Sequence, residues 1–227
     1  SARLAMTMLF GLWIAFSLAL PRAASTFVDT AKPLPSSQAI RQQMASEAPA
    51  FWSDEQAQRN KQELLARHGV SRLEDIPNPR MAELDLMERH SHEVFDRILG
   101  PFYDQVERQD RWFALLGFVS PTIAIQAGSA TLAGTDFSHH RHFIDTAERY
   151  RRDLVNRMNA DGMAHRAHGD ERHTNDERLW SQIPEFVYAG PALGTLSMPA
   201  WPAFGALLVW LGVAATVLTI TARELRP

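Results

Sequence analysis

The sequence contains no cysteine among its 227 residues. This absence excludes disulfide bonds, thiolate ligands for a metal ion and a cysteine nucleophile. Basic residues do not outnumber acidic ones, and the formal net charge of -3 provides no basic surface of the kind that nucleic-acid binding requires. We therefore expect no nucleic-acid partner.

Two sequence motifs that support catalysis are also missing. The chain has no G-x-x-x-x-G-K-[ST] loop for nucleotide phosphates and no G-x-S-x-G context for a hydrolase nucleophile. Ser120, Ser129 and Ser138 would each need a base and an orienting acid to act as nucleophiles. These absences predict that the chain is not an enzyme and holds no cofactor of its own.

Long apolar runs are confined to the two ends of the chain. Charged residues make up 22% of the sequence and the mean hydropathy is slightly negative, yet Leu4 to Leu20 and Met198 to Ala222 are uncharged. As helices, such runs are long enough to cross a bilayer, which takes roughly 20 apolar residues. The sequence predicts a mainly α membrane-protein fragment with two transmembrane helices flanking a helical extracytoplasmic domain.

The first apolar run also allows a signal-peptide interpretation. Arg3 would supply its charged region, and a small-x-small cleavage site can be drawn through Ala23 to Ser25. Because the first residue is Ser rather than Met, we expect a piece of a longer protein. The run is then an internal transmembrane helix that Pro21 and Arg22 end.

Changes of composition divide the chain into five parts. We predict a transmembrane helix at 1–21, a helical extracytoplasmic region at 22–110, an interfacial or re-entrant small-residue segment at 111–134, a second helical extracytoplasmic region at 135–197 with a mobile loop at 163–178, and a transmembrane helix with a cytoplasmic C-terminus at 198–227.

Capping residues locate two helices in the first extracytoplasmic region. Ser36 or Ser37 can cap a helix that Pro49 would stop. Ser53 has capping-box spacing to the residues after it, and Gly69 would close the helix that it starts. The sequence therefore predicts two short helices with a break between them.

Two longer amphipathic helices follow from apolar residues at helical spacing. They cover residues 80–110, with a bend expected at Gly100 and Pro101, and residues 138–159. We expect them to pack through their apolar stripes. Three stripe positions at which a charge should destabilise the domain are Leu84, Ile98 and Leu154.

The segment 111–134 between these helices is apolar but interrupted by proline and glycine. Its first half, Trp112 to Val119, is rich in aromatic and aliphatic residues typical of a membrane surface. Its second half, Thr122 to Gly134, consists almost wholly of small residues, which let helix backbones approach closely. We predict that Gly128 and Gly134 serve in helix packing.

Counting membrane crossings restricts the path of this segment. If both terminal runs span, the region between them begins and ends on one side of the membrane. Arg3, Arg223 and Arg226 place the outer ends of the two spans in the cytoplasm. The segment 111–134 must then lie at the extracytoplasmic surface, re-enter the bilayer or pack between helices.

A histidine cluster after Gly134 is the candidate for a metal site. For the residues Asp136, His139, His140 and His142, the first and third are four apart and the second and fourth three apart, so either pair could share an ion on one face if the helix includes Asp136. In the alternative interpretation the cluster is a structural polar joint, in which Asp136 or Ser138 caps a helix and His140 lies on its buried face. Further histidines at 165, 168 and 173 fall in the predicted mobile loop.

Four stretches together resemble a known bacterial family. They are LPRAAS after the first span, PLPS in the following linker, SPTIAIQAGSATLAGTDFSHHRHFIDTAERYRRDLV in the middle and WSQIPEFVY before the last span. The most specific run is Ala133 to Asp136 followed by His139 to Phe143. The sequence resembles ABC-2 type transporter permeases that carry a large extracytoplasmic domain of uncharacterised function between two transmembrane helices.

The resemblance implies a multi-pass protein of the bacterial inner membrane. Its partners would be a cytoplasmic ABC ATPase that hydrolyses ATP, a second permease subunit and the lipid bilayer, and further transmembrane helices would precede residue 1. No transported substrate is implied. The predicted function is the permease subunit of an ABC-2 type exporter, and the alternative is a membrane-anchored binding or sensor domain, with metal binding through the histidine cluster.

Overall fold

The computed structural model describes residues 2–51, 53–165 and 177–224. Within these ranges the regular secondary structure is helical and contains no strand, which confirms the predicted mainly α fold. Two helices in this part of the chain, Ala2–Ala31 and Trp201–Arg223, are long and apolar enough to cross a membrane. They flank a helical central region, as predicted.

The helices in the described ranges follow one another with short connections. They are α1 (Ala2–Ile14), a π-helical turn (Ala15–Ala19), α2 (Leu20–Ala31), α3 (Ser37–Phe51), α4 (Asp54–His68), a 3₁₀ turn (Leu73–Asp75), α5 (Pro79–Leu115), a second 3₁₀ turn (Leu116–Phe118), α6 (Pro121–Ala133), α7 (Phe137–His165), α8 (Glu177–Gln182) and α9 (Leu193–Glu224).

Pro21 does not end the first helix, contrary to the prediction. The chain continues as helix to Ala31 because Pro21 stands in the first turn of α2, directly after the π-helical turn. There the Leu20 N–H bonds Ala15 O, a spacing of five residues. Proline is tolerated in a first helical turn, where its missing N–H leaves little unsatisfied.

The predicted caps of α3 and α4 are confirmed. Ser36 Oγ accepts a hydrogen bond from the Ala39 N–H at 3.1 Å, and Ser53 Oγ accepts one from Gln56 at 3.3 Å. Gly69 closes α4 with φ +64°, a left-handed conformation that favours glycine. One boundary was wrong, since α3 passes Pro49 and ends at Phe51.

The chain divides into two compact units. Unit 1 comprises Ser1–Leu34, Tyr103–Phe143 and Ala189–Pro227, and unit 2 comprises Pro35–Phe102 and Ile144–Tyr188. The long helices α5 and α7 each contribute residues to both units. In α5 the division falls between Phe102 and Tyr103.

Unit 2 has a small apolar core between α4 and the first turns of α5. Its buried side chains are Leu64, Ile76, Ala82 and Leu86, with Val70 and Leu73 packed against them. Asn78 caps α5 by accepting from the Met81 N–H at 3.2 Å. Buried Asp85 accepts from Arg89 at 2.8 Å and lies 3.6 Å from Arg67.

Some predicted positions differ from the observed ones. Leu84 is exposed, because the α5 face that packs in unit 2 passes through Ala82 and Leu86 instead, whereas Ile98 is buried as expected. Helix α7 extends beyond Asn159 to His165, so it includes the start of the predicted loop 163–178. Helix α8 begins at Glu177, and residues 166–176 of that loop lie outside the described ranges.

Candidate functional site

The segment 111–134, called the central segment below, forms two helical pieces with a tight connection. Helix α5 ends at Leu115, a 3₁₀ turn covers Leu116–Phe118, and α6 begins at Pro121. Ser120 precedes this proline in an extended conformation, as a residue before proline prefers. The helices are thus interrupted between the two predicted pieces, at Val119 and Ser120, but the aromatic piece starts inside α5, which passes the predicted boundary at residue 110 and ends at Leu115.

Close backbone contact holds this connection together. A Cβ atom added at Gly117 would lie 3.1 Å from both Cα and Cβ of Ala124, on the next helix. Ala124 itself is completely buried. Only glycine fits at position 117 without moving the backbone of α6.

Two hydrogen bonds attach the connection to the terminal apolar helices. Ser120, which is fully buried, donates from Oγ to the Phe16 carbonyl, within the π-helical turn, at 2.9 Å. Trp210 of α9 donates from Nε1 to the Gly117 carbonyl at 2.9 Å. The rings of Phe16 and Trp210 meet edge to face, with centroids 5.3 Å apart. Both ends of the chain thus contact the central segment.

Helix α6 packs along α9 through its small residues, as the sequence predicted for this half. An added Cβ at Gly128 would lie 3.5 Å from Leu207 Cδ1, 3.7 Å from Phe204 Cε1 and 3.9 Å from Ala203 Cβ. These are ordinary van der Waals distances, so Gly128 leaves room for one methyl group and little more. Ala203 and Ala206 of α9 are buried.

Gly134 has a different position from Gly128. It caps the C-terminus of α6 with φ +69°, and its N–H bonds the Thr131 carbonyl. An added Cβ there would meet the His139 ring at 3.4 Å. Glycine is favoured at this position by the left-handed backbone that turns the chain into α7.

Many large apolar side chains remain exposed on the central segment and on both terminal apolar helices. Exposed large apolar side chains of the central segment are Trp112, Leu115, Phe118, Val119, Ile125 and Leu132. All described residues of α1 are exposed, among them Met6 at 73% and Leu9 at 66%. On α9, Leu208, Leu211 and Leu218 are likewise exposed. Unit 1 therefore carries far more contiguous apolar surface than a water-soluble protein normally shows.

A cavity of about 290 Å³ lies in unit 1 where α5, α6, α7 and α9 meet. Its apolar wall includes Phe113, Ala127 and Ala203, and its polar lining includes Gln126 and Thr135. Three carboxylates, from Glu107, Asp110 and Asp136, also line it.

Two of the three carboxylates have side-chain partners. Arg141 lies 3.0 Å from Glu107 and 2.6 Å from Asp104. His139 pairs with Asp136. Among the residues that the structure describes, Asp110 has neither a hydrogen bond nor an ion pair. Asp110 is exposed, yet partial loss of hydration raises its pKa, and the charges of Asp136 and Glu107 raise that pKa further.

The histidine cluster is only partly brought together. Asp136 caps α7 by accepting from the His139 N–H at 3.0 Å, and its Oδ1 also contacts Nδ1 of the same ring. Burial acts to raise the pKa of Asp136, but hydrogen bonds from the His139 N–H, its ring and Thr131 lower it below the ordinary value. His140 is exposed and lies against Phe137, so its predicted burial was wrong.

The described residues contain no group of three or more His, Asp or Glu side chains that could hold a metal ion. Asp136 and His139 are together, whereas His140 points to another neighbour and His142 is half-buried on the next turn. Metal binding by Asp136, His139, His140 and His142 stays a prediction, and the observed capping is the geometry of a polar joint. The side chains of the histidines at 165, 168 and 173 lie outside the described part.

Sequence reasoning did not identify Gly117, Ser120 or Trp210 as joining residues. The pair Ser120–Pro121 was an available signal for a helix start, but which carbonyl the Ser120 hydroxyl reaches depends on a contact across more than a hundred residues. His92 was missed as well. Its spacing of four residues from both Glu88 and Asp96 was the available signal.

Fold and site together define a mainly α-helical protein in which two long apolar helices meet a broken, small-residue segment. A family model described as a domain of unknown function, DUF3526, matches residues 37–189, which is more than half of the chain. The chain belongs to the DUF3526 family. No curated protein and no solved structure matches it.

Proposed function

We propose that the chain is part of the permease subunit of an ABC-2 type exporter in a bacterial inner membrane. In this proposal the helix Ala2–Ala31 and α9 cross the bilayer, and unit 2 lies on the extracytoplasmic side. A cytoplasmic ABC ATPase supplies the energy, and a second permease subunit completes the transport path. The transported substrate is left open.

The observation that carries the membrane part of the proposal is the uncovered apolar surface of unit 1. Lipid tails solvate such side chains, whereas water does so at a cost of roughly 25 cal/mol per Å². Both candidate spans are helical, which pairs most of their backbone groups internally as a lipid environment demands, and the Phe16 carbonyl accepts the Ser120 hydroxyl instead. The same surface fits a permease, whose helices face lipid on one side and neighbouring helices on the other.

Contacts of the central segment support a re-entrant path. Trp210, which bonds Gly117, follows Trp201 at the start of the α9 span by nine residues, or roughly 14 Å of helix. A bilayer core is roughly 30 Å thick, so the connection at Gly117–Ser120 would lie near its middle. Gly128 packs against Ala203 and Leu207, closer to Trp201, as a returning helix would.

The transport part of the proposal rests on the sequence resemblance. Its most specific residues, Ala133 to Asp136 and His139 to Phe143, form the turn from α6 into α7. In the structure Thr135, Asp136 and Phe137 of this turn line the cavity. The motif therefore coincides with the place where the proposed membrane segment meets the extracytoplasmic part.

Topology can be tested with single cysteines, since the chain has none of its own. Arg108→Cys and Thr135→Cys, both at exposed positions on either side of the central segment, should react with an impermeant thiol reagent in intact spheroplasts. Ala222→Cys, exposed near the other end of α9, should react only after permeabilisation. If just one of positions 108 and 135 reacts from outside, the segment crosses the bilayer and the proposed topology fails.

A second experiment tests the transporter assignment. Sequencing upstream of Ser1 should reveal further apolar helices, together with a neighbouring gene for an ATPase that has a phosphate-binding loop. The two products, purified together and reconstituted in liposomes, should hydrolyse ATP faster than the ATPase alone. An initiator Met directly before Ser1 and no such gene would instead support the membrane-anchored binding or sensor domain.

A further inference from the structure

His92 occupies a half-buried position in unit 2, on α5. Its side chain is only 12% exposed, and Nε2 lies 3.8 Å from Glu88 Oε2, one helical turn earlier. Nε2 is fully buried and has no hydrogen-bond partner among the described residues. A neutral ring tolerates this position when Nε2 is the unprotonated nitrogen, whereas a protonated ring would bury a charged N–H donor.

Charged residues of α5 and α7 surround the His92 ring. From α7 these are Arg151, Arg152 and Glu148, and from α5 they are Glu88 and Asp96. Loss of hydration lowers the pKa of His92, and Arg152 and Arg151 lower it further, against the opposing charges of Glu88 and Glu148. Protonation therefore adds a third cation to a place that already holds two.

The same arginines join α5 to α7 within unit 2. Arg152 donates to both carboxylate oxygens of Asp96, at 2.9 and 2.7 Å, and from Nε to Glu148 at 2.9 Å. Arg151 donates twice to Glu148 at 2.8 Å and lies 3.9 Å from Glu88. Arg152 also stacks over Phe95 at 5.8 Å. The charged contact between the two helices therefore passes directly beside His92.

We propose that protonation of His92 weakens this contact between α5 and α7. With a neutral ring, Glu148 and Asp96 are fully engaged by the two arginines. A proton on His92 repels both guanidinium groups and competes with Arg151 for Glu88, so the helix pair loosens. This device belongs to unit 2 and does not depend on the transport proposal.

The direction of the pH effect follows from linkage. The folded form holds the His92 proton less tightly than the unfolded or loosened form, in which the ring titrates near 6.5. As the pH falls through 6.5, the His92 ring becomes protonated in the loosened form before it does in the folded form. The α5–α7 contact is therefore intact at neutral and alkaline pH and weakens on acidification.

Two measurements on the full chain in detergent micelles test the proposal. NMR of histidine-labelled wild type should show one ring, identified by its absence from His92→Gln, that titrates below pH 6.5. Amide hydrogen exchange, corrected for its intrinsic pH dependence, should show lost protection in residues 88–98 and 146–156 between pH 7.5 and 5.5. In His92→Gln that loss should be smaller.

His140→Gln is the matched control, because His140 is an exposed histidine near the start of α7, before the segment 146–156 in which exchange is measured. This variant should retain the wild-type loss of protection. The proposal is overturned if the His92 ring titrates at or above pH 6.5, or if wild type and His92→Gln lose protection equally. The NMR titration is made on wild type, so it decides even if His92→Gln folds poorly.

Discussion

At the residue scale, Gly117 shows how a single missing Cβ sets a helix connection. Its carbonyl receives the Trp210 N–H, and its Cα faces the backbone of Ala124. A larger residue would press on the N, Cα and Cβ atoms of Ala124, which are fixed to the backbone of α6 and cannot move aside as a long side chain would. Position 117 therefore tolerates a larger side chain less well than position 128. The sequence had suggested Gly128 as a packing residue, but not Gly117.

We predict that Gly117→Val destabilises unit 1 by about 1–3 kcal/mol, the usual cost of overpacking. The measurement is the melting temperature of the purified chain in detergent. Gly212→Ala is the control, because an added Cβ there meets nothing within 4 Å. Equal melting temperatures for wild type and Gly117→Val would contradict the packing described for this connection.

The cavity carboxylate Asp110 allows a prediction with a defined pH direction. Its pKa is raised in the folded chain, so folding becomes less favourable as the pH rises and the group ionises. Asp110→Asn should therefore raise the melting temperature at pH 7.5, with a smaller gain at acidic pH. Asp104→Asn, which removes an ion pair with Arg141, should lower it. A loss of stability in Asp110→Asn at pH 7.5 would refute the assignment.

At the element scale, the α6–α9 pair depends on small residues rather than on polar contacts along its length. Gly128 lies opposite Ala203 and Leu207, at distances that accept one methyl group. In lipid, where apolar side chains gain little by leaving the solvent, such close van der Waals packing is a main source of helix association.

Substitutions at Gly128 should therefore depend steeply on size. We expect Gly128→Ala to keep the wild-type melting temperature within a few degrees and Gly128→Leu to lower it clearly, since three further carbon atoms have no room. Ser129→Leu is the matched control on the exposed face of the same helix. Should Gly128→Leu melt like Ser129→Leu, the two helices do not pack as described.

At the scale of the whole molecule, the two units differ in the surface that they present. Unit 2 buries a small apolar core and covers its helices with ion pairs, whereas the terminal helices of unit 1 expose apolar residues along most of their length. A bilayer would solvate unit 1 and leave unit 2 in water. The two units of one chain would then be stable in different solvents, unit 1 in lipid and unit 2 in water.

This difference predicts how the chain distributes between membrane and water. Wild type should stay with the membrane pellet after an alkaline carbonate wash. Leu211→Arg should reduce the retained fraction, because a central arginine costs a membrane helix roughly 2.5–3.5 kcal/mol. Gln42→Arg, at an exposed position of α3, should not. Retention of Leu211→Arg at the Gln42→Arg level would argue against α9 as a span.

The sequence by itself determined the features that depend on near neighbours in the chain. The caps at Ser36, Ser53 and Gly69 were predictable because each bonds a backbone group within four residues. The apolar ends and the two-part central segment were visible for the same reason, since length and composition are local properties. The mainly α fold followed from these features.

The tertiary structure decided which faces are buried. Leu84 and His140 lie on helices of the expected kind but face outward, because burial depends on what packs against a helix and not on its own periodicity. The hydrogen-bond partners of the Gly117 carbonyl and the Ser120 hydroxyl lie about a hundred residues away in sequence. His92 gained its charged surroundings only when α7 folded beside α5, since a side chain's electrostatic environment is a property of contacts that no single helix contains.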